Sequence, residues 1–556
     1  MFDLRRVSRV LGPLLLIPAS TACGQDISPT LAITDVTVIP MAEPGVLRDQ
    51  TVLIAGDGIV RLGPAAEVSV PDGVRRIDGT GRTLIPGLVD AHVHLFDAND
   101  LPLLLAHGVT TVLNMSGSDL QLQLRDAVDS GALAGPRIHT TGPQLKVEAN
   151  PIVDFERPAT SPEEARRRVA YAAERGYDFV KIWGPLAPDV YAAAITAAAD
   201  RGIRVTGHIP RDVGLEGVLE SRQSSIAHVE EYYNKVFGRR THDSGLPEAV
   251  AATAESGVAV ITTLGTYDAI AASIADDIGP LLDRPDRRLL DPVRQLLWEP
   301  GFNRYRTPGR RGEEQEYLDA LAFQMVIAAH LHEAGVPLLA GSDAGELPGL
   351  VPGSALHAEL GFLVAAGLPE WDALATATVN PGRYLTENPL TGTVTEGAPA
   401  DLVLLEADPL EAIGATRRII VTIARGVPHE PADVLARVEA ANDATRPFVG
   451  RVLAGQLDAA HEHLRARIAA GDRPPAETPM LFLAFALAEG GDMAAALRVI
   501  EMAAEAHPDS YLPDYMLGLA ALGTGEAEAG RAALERVLER VPDHDGALEW
   551  LGRTPQ

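Results

Sequence analysis

Leu84-Ile85-Pro86-Gly87-Leu88-Val89-Asp90-Ala91-His92-Val93-His94-Leu95 is the stretch that decides how this chain reads. Leu88 to Val93 has the composition of a short buried strand, and residues two apart on a strand point to the same side. The imidazoles of His92 and His94 should therefore converge on one point. Such a pair suits a metal ion, although two histidines satisfied separately at a strand end would show the same spacing.

Working outward, further apolar runs end in ligand-capable residues: 178–183 with Lys181, 203–208 with His208, 225–228 with His228, and 336–343 with Asp343. Each has a bland alternative, such as a snorkelling Lys181 or Asp343 as a helix cap. The bland account would have to hold six times at equivalent strand ends. Between the runs lie helix-like stretches, 162–176 and 188–202, each closing on glycine. Strand and helix alternating over roughly 300 residues predict a (β/α)8 TIM barrel, whose sites form at the carboxyl ends of its strands.

Residues 86–384 hold this barrel pattern, and both flanks read as strands. The run 51–60 is two apolar segments joined through Asp57-Gly58, a hairpin signal. The runs 402–405 and 417–423 follow the barrel.

The chain resembles the amidohydrolase superfamily of metal-dependent barrel hydrolases, especially its imidazolonepropionase-like and prolidase-like members. The resemblance spans residues 30–428. It is carried by Pro86 to His94, Gly108-Val109-Thr110-Thr111-Val112, Lys181, His208, His228, Ala340-Gly341-Ser342-Asp343 and Gly397-Ala398-Pro399-Ala400-Asp401-Leu402-Val403. It implies an α/β fold in which residues 28–85 and 385–428 join in one small discontinuous β-sandwich. It also implies two divalent ions, with zinc the expected metal: His92, His94 and Asp343 would hold one, and His208 and His228 the other. Lys181, as a carbamate, would bridge them. The implied reaction is hydrolysis of a carbon–nitrogen amide bond by metal-activated hydroxide, with Asp343 as the proton shuttle. A dipeptide or an N-acyl amino acid is the expected substrate. A cyclic amide of the imidazolone or hydantoin kind, or a lactone, is the alternative.

Substrate residues are less legible. His139, near the end of an expected third strand, could polarise the scissile carbonyl or serve structure alone. Tyr232 and Tyr233, after His228, could meet a substrate carboxylate, while Glu230 and Glu231 could simply favour a helix amino end. Dipeptidase-like relatives carry Gly-Gly-His after the third strand, whereas this chain has Thr141-Gly142-Pro143-Gln144. The arginine-rich segment 268–312 could be a lid or a solvated insertion.

Residues 1–23 read as an export signal: Arg5, Arg6 and Arg9 precede an apolar run and the small residues Ala19-Ser20-Thr21-Ala22. Cys23, the only cysteine, follows where a bacterial lipoprotein signal would be cleaved and lipidated. The expected location is periplasmic or cell-surface with a lipid anchor as the only membrane contact, or else secreted. At the other end, Pro474, Pro508 and Pro542 recur every 34 residues, as do Leu517-Gly518 and Leu551-Gly552. Residues 441–556 thus resemble tetratricopeptide repeats, an all-α tail with two clear hairpins. It could bind a protein partner, mediate oligomerisation or cap the barrel. A surface-anchored interaction protein working through these repeats is the reading from another functional class. The net charge of −29 argues against nucleic acid as a partner.

Overall fold

The computed structural model describes residues 28–150, 153–242, 244–310, 312–345, 347–472 and 474–552. The export signal and Cys23 lie outside the described residues.

Eight parallel strands form the barrel: Leu88–Val93, Val109–Asn114, Arg137–Lys146, Phe179–Ile182, Arg204–Gly207, Ser225–Ala227, Ala259–Ile261 and Leu338–Leu339. The first and eighth strands close the ring through Ala91 N to Ala340 O at 2.9 Å and Asp343 N to His92 O at 2.8 Å. Every residue of the first, second and fourth strands is buried. Barrel strands pack on each other inside and on helices outside, so they read as largely apolar runs rather than alternating ones. The expected helices form at Pro162–Glu174 and Pro188–Arg201. Gly202 ends the second in a left-handed conformation (φ 68°), which a residue with a Cβ adopts only at a cost.

The flanking strands form one eight-stranded mixed sheet in which the post-barrel strand Leu402–Leu405 pairs antiparallel with the pre-barrel strand Thr83–Pro86. Its core joins Ile33, Val52 and Leu84 to Leu402, Leu404 and Ile423. The expected hairpin is present between Leu47–Ala55 and Gly58–Pro64, but the turn residues are Gly56 and Asp57, with Gly56 at φ 58°.

The segment 268–312 is folded rather than a solvated loop. It contains the short helices Gly279–Leu282 and Pro292–Leu296 and buries Trp298. Among its described arginines, Arg287 donates to Gln295 O at 2.9 Å within the segment, while Arg294 ties it to the barrel, pairing with Asp100 and donating to Gly345 O at 2.6 Å.

The tail begins at Pro431, ahead of the expected boundary at 441, and continues as antiparallel helices to Trp550. Gly518 and Gly530 let two of its helices touch. A Cβ on Gly518 would lie 2.9 Å from Leu534, and one on Gly530 2.7 Å from Leu522. Of the three roles open to the tail, capping is the one the structure displays. Arg157 Nε donates to Asp545 Oδ1 at 2.8 Å, Arg168 Nη1 donates to Asp545 Oδ2 at 2.9 Å, and Tyr511 Oη donates to Asp154 Oδ2 at 2.6 Å. All are buried, so these bonds are shielded from competing water. Among the described residues, no helix is long and apolar enough to cross a membrane.

Candidate metal centre

The period-two geometry of the first strand brings the two imidazoles together. His92 Nε2 lies 3.1 Å and His94 Nε2 2.9 Å from the same Asp343 Oδ1. The potential ligand atoms of these three residues lie within 4.8 Å of one another. Close approach of the eighth strand depends on Gly341, where a Cβ would stand 2.6 Å from the Cβ of His92. Asp90 pins both strands, accepting from His92 N at 3.2 Å and Ser342 N at 2.9 Å.

The remaining histidines join this cluster. The His228 ring centre is 4.5 Å from that of His92 and 5.0 Å from that of His208. His94 Nδ1 meets Ser116 Oγ at 2.8 Å, His208 Nδ1 meets Glu231 Oε1 at 3.0 Å, and His228 Nδ1 meets Thr263 Oγ1 at 2.7 Å. Gln144 Nε2 in turn donates to Ser116 Oγ at 2.5 Å. With Nδ1 engaged in all three rings, Nε2 is the nitrogen left for a metal, as outer hydrogen bonds typically arrange. His228, Thr263 and Asp343 adopt left-handed backbone conformations, with φ of 78°, 49° and 54°. Such strain in non-glycine residues persists where surrounding structure over-determines it, often at functional sites.

Electrostatics favour the ligand forms. Burial pulls His92 down to about 3 and lowers His208 and His228, so these imidazoles are neutral at pH 7. Burial alone would raise Asp343, but the His92 and His94 imidazoles outweigh it and hold its carboxyl well below the usual range. Lys181 is buried at the end of the fourth strand, and burial lowers it to about 8 against the opposing pull of Asp343 and Glu231. None of the described residues hydrogen bonds or ion pairs with its Nζ. Neutral imidazoles, a carboxylate and an amine that deprotonates readily form a donor set that fits divalent ions.

Three of the expected site residues stand elsewhere. His139 lies early in the third strand, where its Nδ1 is 3.6 Å from Asp178 Oδ1, just before the fourth strand begins. It therefore faces the amino-terminal side of the barrel, and Gln144, level with Lys181 in register, stands at the site end instead. Tyr232 is fully buried with its hydroxyl 2.8 Å from Thr253 Oγ1, and the Tyr233 ring packs against Tyr267 and Phe323. A turn after His228 rotates both tyrosines onto the surrounding helices and brings Glu231 to the site. Ser116, Gln144, Glu231 and Thr263 are the site residues that sequence reasoning missed. Glu231, three residues beyond a candidate ligand, was the one within its reach.

Comparison with known proteins agrees with this architecture. An uncharacterized protein of Mycobacterium tuberculosis is 27% identical over 369 residues, covering 62% of this chain and 85% of its own length. The structure of a candidate prolidase from Bifidobacterium longum is similar at a TM-score of 0.55 and 26% identity, over 74% of this chain and 100% of its own. That of an Xaa-Pro dipeptidase with bound methionine in its active site has a TM-score of 0.56 at 20% identity, over 72% and 99%. Because residues 83–428, more than half of the 556, match the Amidohydrolase family, the chain belongs to that family and is a hydrolytic enzyme acting on carbon–nitrogen bonds.

Proposed function

We propose that this chain hydrolyses the amide bond of a dipeptide or N-acyl amino acid at a centre for two divalent ions, with zinc the expected metal. The observation that carries the reading is the convergence of His92 Nε2 and His94 Nε2 on Asp343 Oδ1. His92, His94 and Asp343 would hold one ion and His208 and His228 the other, with Lys181 between them as a carbamate. Bound there, divalent ions would supply Lewis-acid chemistry, acidifying a water and polarising the carbonyl to be attacked.

The chain's own residues do the rest. Asp343, kept ionised by its histidine neighbours, accepts the water proton at a carboxylate oxygen and passes it to the departing amine nitrogen. Ser116, Glu231 and Thr263 fix the ring orientations of His94, His208 and His228, so the ligands need no rearrangement. The buried amine of Lys181 is poised to react with carbon dioxide as its neutral form. The prolidase and dipeptidase descriptions of the two similar structures favour linear peptide-like amides over cyclic ones.

Amine release from dipeptides, N-acyl amino acids and cyclic amides tests the reading, with Asp343→Asn alongside. Release from linear amides that is lost in Asp343→Asn is expected. Release from cyclic amides alone would overturn the substrate class. Export with a lipid on Cys23 belongs to the same proposal, and Cys23→Ala should move the protein from the membrane to the soluble fraction.

A further inference from the structure

The aromatic ring beside the candidate ligands also walls a second space. Phe96 lies nearly parallel to His94, with ring centres 6.2 Å apart and planes at 15°. Its ring centre is also 5.9 Å from that of Phe155, on the segment after the third strand, and 5.2 Å from that of Phe482, on the tail helix Glu477–Glu489. Thr478 of that helix donates its hydroxyl to the Phe96 carbonyl. Phe96, Phe155 and Phe482, with Phe302, Phe485 and Met516, line a cavity of about 660 Å³. Two elements therefore shape it, the barrel rim and the helical tail. The eighth-strand end reaches it too. Pro348 lines the cavity, and a Cβ on Gly345 would lie 2.6 Å from the Cβ of His94 and 3.0 Å from the Phe96 ring.

The lining says what the cavity suits. Several of its polar groups are already engaged: Glu156 with Lys146, Asp154 with Tyr511, and Gln121 with Ser118 and the Leu95 carbonyl. What remains open is mostly aromatic and aliphatic surface, with Phe155, Phe482 and Phe485 half-buried and Phe302 exposed, and the exposed charged residues Arg304 and Glu489 also line the cavity. Asn303, 5% exposed, is a further lining residue, with its buried Nδ2 without a partner. Small-molecule sites of about 300–1,000 Å³ combine apolar walls with a few polar groups in this way. A methyl or a glycine side chain would leave most of this volume unfilled.

We propose that this cavity, built in part by the tail, receives a bulky apolar group of the amide substrate, aromatic or branched aliphatic. The tail is then a specificity wall of the catalytic domain. This rests on the amide reading above, and its test is chosen so that the two can fail separately.

The test measures binding to the metal-free full-length protein by calorimetry, using N-phenylbutanoyl-alanine and N-acetyl-alanine as probes. The phenylbutanoyl compound should bind the wild type about tenfold more tightly or better. Ala486→Trp, which fills the cavity from the tail side, should abolish that preference, and Phe485→Ala should weaken it, with unchanged circular dichroism and melting temperature in both. No preference in the wild type, or a preference that survives Ala486→Trp in a folded protein, overturns the proposal. Preferential binding without amine release from the metal-loaded enzyme overturns the amide reading and leaves the cavity assignment standing.

Discussion

Glu231 Oε1 lies 3.0 Å from His208 Nδ1, and the other carboxylate oxygen accepts from Ile209 N at 2.8 Å, so one buried side chain fixes both a candidate ligand ring and the strand end that carries it. Glu231→Gln should therefore loosen metal rather than unfold the protein. Outer-shell substitutions of this kind cost about 10–100-fold in metal affinity. Metal content after dialysis against graded chelator measures it. Wild-type retention would refute the positioning role.

Lys181→Ala should lose metal and activity together, because the proposed bridge has no substitute at the end of the fourth strand. Metal analysis and amine release on the same preparation check this. An active variant with two ions bound would remove Lys181 from the centre.

His139→Ala should change kcat/KM less than about twofold, since the side chain pairs with Asp178 at the opposite end of the barrel. Tyr232→Phe should leave KM unchanged and cost about 1 kcal/mol of stability through the lost Thr253 contact. A large KM effect in either would return that residue to the site.

Asp545 accepts from both Arg157 and Arg168 in a buried network that ties the last tail helix to the barrel. Asp545→Asn removes one of two carboxylates from each buried guanidinium, leaving Asp154 to Arg157 and Glu549 to Arg168, so the loss should stay below the about 3–5 kcal/mol of a fully stranded buried charge. Denaturant unfolding and limited proteolysis of the tail measure it. Equal stability would show that the network contributes nothing to docking.

The His544–Asp154 pair makes tail docking depend on pH. Asp154 raises His544 above its ordinary value of 6.5 despite burial, while His544 and Arg157 hold Asp154 below its ordinary 3.8. The histidine contribution is complete below pH 6.5 and is lost as pH rises through the elevated folded-state value. The Asp154 contribution is present above pH 3.8 and is lost only as pH falls through its depressed value. Hydrogen-exchange protection over 511–551, taken relative to the intrinsic rate at each pH, should therefore fall on the alkaline side, and His544→Ala should remove that dependence. A flat profile in the wild type would contradict the pairing.

The candidate ligands were legible because each depends on local rules: a period of two places His92 beside His94, and apolar strands of the expected length deliver Lys181, His208, His228 and Asp343 to one rim. The helical tail was legible for the same reason, since its 34-residue period is a local pattern. The residues that orient those ligands were not. Ser116 reaches His94 across 22 positions, Thr263 reaches His228 across 35, and Arg168 reaches Asp545 across 377. No spacing rule links such pairs. His139 and Tyr232 show the converse, plausible residues whose direction is set by where a strand begins or a turn rotates. Local chain geometry thus decided which side chains could form a metal centre, whereas packing between distant elements decided how they are held and what the tail encloses.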